Sequence, residues 1–245
     1  MVPARPAQPD TAARLVDAAA RLLAEEGADA VTARRLGREI GASSMAVYTH
    51  YGSMEDVIAA TLRHGFQLFG AALDAPRVTN DPVADWMVQG WGYRRFALDN
   101  PHLYRVMFGS PLHMSRVSTD QDDSSMQTFR SLLDRLTRCV DAGRFAIDDV
   151  WLAGEYVWAV SHGLCSIELS GYFDAAQRRA DVAFNECLVR SAIGFGDDPA
   201  RADRSSRSAR RRARASSLTS ARGARLDLPD ATTRSRGGHR RGAAT

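Results

Sequence analysis

The side chains best suited to chemistry crowd into nineteen residues, from Thr32 to His50. Hydroxyls at Thr32, Ser43, Ser44 and Thr49, the Tyr48 phenol, the His50 imidazole and the Arg34 guanidinium can all bind phosphate oxygens or base edges. On a wheel of about 100° per residue, Ser43 to Tyr51 forms a short helix with Val47 and Tyr51 on the packing side. Met45, Ala46 and Thr49 face the other way, with Tyr48 and His50 on the flanks. Such a helix anchors its edges on the walls of a major groove and reads bases from its centre. Met45 and Ala46 suit thymine methyls, and Ser44 and Thr49 suit several base edges. The implied partner is double-stranded DNA.

A second set lies near the C-terminal half. Glu155, Trp158 and His162 share one helix face, which fits either a metal ion or a pH-sensing group. A metal needs more ligands than these, so His162 is read as a polar group in a pocket or dimer seam, and no metal or cofactor is expected. Trp86, Trp91, Tyr93, Phe96, Tyr104, Met107 and Phe108 recur at helical spacing; they either line a cavity for a small apolar or aromatic effector or form plain core. Cys139, Cys165 and Cys187 contain no CxxC pair and read as buried apolar residues. No nucleophile elbow, glycine-rich phosphate loop or metal-spaced cluster is present, so no catalytic residue is assigned and an enzyme is not expected.

These groups need rigid elements to place them, and the periodicity is helical throughout. After an arm (residues 1–10), Leu15, Ala18, Ala19, Leu22 and Leu23 mark one buried face of a helix that Gly27 ends. Thr32 caps a second helix, closed by Gly41 in the left-handed conformation. Ser43 caps the third, Gly52 breaks it, and Ser53 with Asp56 opens a fourth through about Leu73. Further helices are expected from about Val83 to Leu98, with Asp81 and Pro82 as cap and first-turn proline, and from Asn100–Pro101 through Phe108. Gly109 to Ser125 reads as irregular. An amphipathic helix then carries Phe129, Leu132, Leu133, Leu136 and Val140 to Gly143, followed by helices over Asp148–Leu169 and Asp174–Ile193. No stretch alternates with the period of two, so the fold is expected to be all-α.

Charge divides the chain sharply. All 32 basic side chains are arginines. From Ala200 to Thr245, 13 Arg stand against three Asp, a net +10; the remainder carries −7. Large apolar residues are so sparse after residue 196 that a disordered Arg-rich tail is expected there. Counterion release could give that tail nonspecific DNA affinity, an alternative account of function. No apolar run approaches the roughly 18–20 residues that span a bilayer and no signal-peptide pattern opens the chain, so a cytoplasmic protein without membrane contact is expected.

The run VTARRLGREIGASSMAVYTHYGSMEDVI, Val31 to Ile58, resembles the DNA-binding domain of TetR-type transcriptional regulators, with the similarity extending back through helix one to cover residues 11–60. DDVWLAGEYVWAVSHGLCSIELSGY, Asp148 to Tyr172, is similar to a Trp/His/Gly-containing C-terminal domain of some members. The resemblance implies a helix-turn-helix head (11–60), a helical ligand-binding and dimerisation body (61–195), and a homodimer whose last two body helices form the interface. It places DNA contact on Thr32, Arg34, Ser43, Ser44, Met45, Ala46, Tyr48, Thr49 and His50. It implies a ligand-relieved repressor acting on an inverted-repeat operator. The body's ligand candidates are Trp86, Tyr93, Phe96, Tyr104, Phe108, Trp158 and His162. One departure is Met54, where many members place a phosphate-contacting lysine; Arg5, Arg14, Arg35 and Arg38 are the candidates to compensate.

Overall fold

The computed structural model describes residues 11–109, 119–173 and 178–226, in which ten α-helices and no strand occur. The arm at residues 1–10 lies outside them, as do residues 110–118, 174–177 with the expected helix start at Asp174, and 227–245.

The head is built as its caps and glycines dictate. Helix α1 (Thr11–Glu26) buries Leu15, Ala19 and Leu22 almost completely. Helix α2 (Ala33–Ile40) starts where Thr32 Oγ1 accepts the Arg35 amide at 3.2 Å, and ends at Gly41 with φ 68°. Helix α3 (Met45–Tyr51) departs from expectation at its start. Ser43 does not cap it through its side chain; its carbonyl accepts the Ala46 amide at 3.0 Å, so a tight turn opens the helix. Ser44 occupies the cap position with helical φ and ψ and makes no capping bond. Helix α4 (Met54–Asp74) has the reciprocal cap: Asp56 N donates to Ser53 Oγ at 3.1 Å, and Ser53 Oγ donates to Asp56 Oδ2 at 2.6 Å.

Helices α5 (Pro82–Asp99) and α6 (Pro101–Gly109) follow, with Asp81 capping α5 through the Ala84 amide at 3.0 Å. Helix α7 (Thr119–Asp141) begins six residues before the irregular stretch was expected to end. Helix α8 (Val150–Leu169) is capped by Asp149 and helix α9 (Arg178–Gly194) follows it. The body surrounds α5, which packs on α4, α6, α7, α8 and α9. Arg94 of α5 fastens this layer, reaching Glu168 of α8 at 2.8 and 2.5 Å and Asp181 of α9 at 2.8 Å.

The expected disordered tail is corrected over residues 199–226, which form helix α10 (Pro199–Leu226) against α5. Large apolar side chains are not what seats it. Ala202 and Ala209 are fully buried, and Ser205 gives its hydroxyl to Asp81 at 2.8 Å. Asp81 also takes Arg144, which grips Asp197 at 2.7 and 2.6 Å. Small residues let the helix approach closely, and polar groups from distant parts of the chain satisfy one another beneath it.

Candidate DNA interface and internal cavity

The α2–α3 turn holds because Gly37 has no side chain. A Cβ there would lie 2.8 Å from the Ala42 carbonyl oxygen and 2.9 Å from the Ser43 carbonyl carbon. The close approach lets Val47 become fully buried, and Tyr51 donates from its hydroxyl to the Ala12 carbonyl at 2.8 Å, tying the end of α3 to α1. The opposite face is left to solvent: Met45 is 63 % exposed, Tyr48 48 %, and Thr49 and His50 are exposed as well. Ala46 is half-buried. Thr49 donates its hydroxyl to the Met45 carbonyl at 2.9 Å, which leaves its oxygen as an acceptor for a base amino group. Thr32 accepts from the Arg35 amide and keeps its own proton for a phosphate.

The arginines of the head divide into two groups. Arg35 is held by Glu26 at 2.8 Å and Glu39 at 3.0 Å, and its hydrogen bond keeps the Glu39 carboxyl below its ordinary range. Arg14 donates to the Ile40 carbonyl. Arg34 and Arg38 are exposed and make no ion pair among the described residues. Of the candidates to stand in for the missing lysine, Arg35 and Arg14 are occupied internally and Arg38 is available. Met54 packs half-buried against the core.

A cavity of about 400 Å³ opens among α4, α5, α6, α7, α8 and α9. Trp86, Tyr93, Phe108, Trp158 and His162 are on its wall, and Phe66, Phe69, Leu73, Phe129, Leu132 and Trp151 add apolar surface. Two candidates lie elsewhere. Phe96 is packed behind Phe69, ring centroids 5.0 Å apart, and borders instead a groove of about 600 Å³ beside α10. Tyr104 is buried in a second layer. Its hydroxyl shares hydrogen bonds with Tyr93 at 2.9 Å and with His162 Nδ1 at 2.8 Å. Burial pushes both phenols up and the His162 imidazole below its ordinary 6.5, so at neutral pH the three groups form an uncharged relay. Gln89, Ser161, Glu155, Ser125 and Thr128 add polar wall; Gln89 and Ser161 drew no attention in the sequence because single polar residues on apolar helices carry no pattern. No group of three or more His, Cys, Asp or Glu able to hold a metal occurs among the described residues. The buried thiols of Cys139 and Cys165 are pushed up to about 12, and no described helix is long and apolar enough to cross a membrane.

A short exposed helix held by a glycine turn on a three-helix head, followed by a hollow helical body, defines a helix-turn-helix DNA-binding regulator. The chain belongs to the TetR family of transcriptional regulators. Residues 15–61 match the model described as bacterial regulatory proteins, tetR family, and residues 86–191 match the tetracyclin repressor-like C-terminal domain. An uncharacterized HTH-type transcriptional regulator of Mycobacterium tuberculosis is 25 % identical over 184 residues, covering 74 % of this chain and 79 % of its own. A tetR-family regulatory protein from Rhodococcus RHA1 shares the fold with TM-score 0.64 and 19 % identity, over 78 % of this chain and all of that one. RolR in complex with resorcinol aligns with TM-score 0.54 and 20 % identity, over 80 % and 92 % of the two chains.

Proposed function

We propose that the protein is a ligand-relieved repressor that binds an inverted-repeat DNA operator as a homodimer. The observation that carries this reading is the outward face of α3, where Met45, Tyr48, Thr49 and His50 stand exposed on a helix whose inner face is fixed by Val47 and Tyr51. Two such helices, one per subunit, would enter successive major grooves about one helical turn apart.

The dimer surface is assigned to α8 and α9. Leu152, Tyr156 and Ile167 stand exposed along one stripe of α8, and nothing lies within 4 Å of where Gly163 would carry a Cβ on the same helix. Val182 and Ile193 extend the apolar surface on α9. An exposed stripe of this kind with an open glycine suits a second copy of the same helix pair.

The effector is a small apolar or aromatic molecule in the α4–α9 cavity, a reading that the resorcinol complex of RolR favours. Phe66, Phe69 and Leu73 of α4 line the cavity, and the same helix starts at Met54, with two residues between it and the end of α3. A ligand that shifts α4 therefore re-aims the head. Coupling of about 1–3 kcal/mol would lower operator affinity roughly 5- to 150-fold. Salt-titrated mobility-shift assays on the DNA upstream of its own coding sequence test the reading; binding that does not depend on sequence would sink it.

A further inference from the structure

The cavity wall contains an unpaired acceptor. Gln89 of α5 lines the cavity and is 3 % exposed, and its Oε1 is buried without a hydrogen-bond partner among the described residues. A buried polar atom in that condition is costly, so it marks a place where a ligand atom can complete the bonding.

The neighbours fix which end of the amide is unpaired. Gln89 Nε2 donates to Ser131 Oγ at 2.8 Å, and Ser131 Oγ donates to Asp74 Oδ1 at 2.6 Å. A carboxylate only accepts, so the single Ser131 proton is committed to Asp74 and Ser131 can receive only the amide NH2. The relay across α4, α7 and α5 thus prevents the amide from turning over. Its carbonyl oxygen remains, and that oxygen bonds only to a donor.

Charge narrows the ligand further. Glu155 is the one carboxylate on the cavity wall, no arginine lines it among the described residues, and the chain has no lysine. An anionic ligand would lose its hydration, find no cation and meet Glu155. Trp86, Trp151, Trp158, Phe69 and Phe129 supply flat apolar surface instead.

We infer that the effector is an uncharged molecule with a flat apolar body and at least one hydroxyl or N–H donor, that Gln89 selects for that donor, and that Ser131 is the positioning residue that fixes the amide's polarity. This rests on the reading of the cavity as the effector site.

Three probes with the same ring system separate the two ideas in the full-length protein: 2-naphthol, 2-methoxynaphthalene and 2-naphthoate, with Kd measured by calorimetry. Naphthol should bind at least about fivefold tighter than its methyl ether, the low end of what an unpaired buried group costs, and naphthoate should bind most weakly. Gln89→Met should retain the ether and lose the preference for naphthol. Ser131→Ala frees the amide to turn its NH2 toward an ether oxygen, so the preference should shrink even though Gln89 is present; it carries the test if the first variant fails to fold. A tightest-binding naphthoate, or an unchanged preference in Ser131→Ala, overturns donor selection while leaving the cavity as a ligand site. If none of the three probes binds, the cavity reading fails and the inference with it.

Discussion

Arg212 of α10 donates to Asp85 Oδ1 of α5 at 2.8 Å, a contact between residues 127 apart in sequence. Asp85 has no exposed side-chain surface, and it also accepts from the Thr79 amide at 2.7 Å, the Thr79 hydroxyl at 2.8 Å and Arg138 at 3.2 Å. Burial alone would raise its pKa. The Thr79 amide, Arg212, the Thr79 hydroxyl and Arg138 together outweigh burial and hold the carboxyl below its ordinary 3.8.

A depressed carboxylate stabilises the fold above its unfolded pKa, and that contribution is lost as pH falls through the folded value. Arg212→Met should therefore cost about 1–3 kcal/mol at pH 7, in proportion to a charged hydrogen bond removed from a buried acceptor. The deficit relative to wild type should shrink as the pH drops below 3.8 and Asp85 takes a proton. Urea titrations at neutral and acid pH measure both.

Gly37→Ala should damage the head without touching the body. The new methyl meets backbone atoms at 2.8 and 2.9 Å, which cannot rotate away as a side chain would. A loss of roughly 1–3 kcal/mol is expected from such overpacking, read as selective loss of amide-exchange protection in α1 to α3.

The two groups of head arginines should separate experimentally. Arg38→Ala should weaken binding to all DNA sequences alike and reduce the slope of log K against log salt by about 0.9 per lost phosphate contact. Arg35→Ala, whose guanidinium is held by Glu26 and Glu39, should leave that slope unchanged. Fluorescence anisotropy across a salt series distinguishes them.

His162 predicts a pH signature of the same sign in a higher pH window. Above 6.5 it is neutral whether the chain is folded or not; below 6.5 the unfolded chain binds the proton first, because burial lowers the folded value. Stability contributed by this site therefore falls as pH drops from about 6.5. His162→Gln, which can still bond Tyr104, should flatten the melting temperature between pH 7 and pH 5 relative to wild type.

The head was legible because its signals are local. Thr32, Gly41, Gly52 and the Ser53–Asp56 pair each determine a boundary within three or four residues, and only the start of α3 differed, where a turn carbonyl replaced the Ser43 cap. Helix α10 was not legible, since Arg, Ala and Ser compose a disordered tail as readily as a helix. What decides between them is the seat for Ala202 and Ala209 and the partners Asp81 and Asp85, more than 120 residues upstream. The cavity was half legible for a related reason. Aromatic spacing places Trp86 and Tyr93 inward but does not tell a wall from a core, so Phe96 and Tyr104 were expected on a surface they do not reach. The α8–α9 pair proposed for dimerisation keeps Leu152, Tyr156, Ile167, Val182 and Ile193 exposed although α10 packs on α9 as well as on α5.

Selection of duplexes from a random pool by the full-length protein tests the central claim, that the exposed face of α3 reads DNA sequence. Enrichment of an inverted repeat with half-sites about one helical turn apart is the expected result, abolished by Tyr48→Ala with His50→Ala while the melting temperature holds. Retention of the pool without enrichment, or enrichment that survives the double substitution, would contradict it.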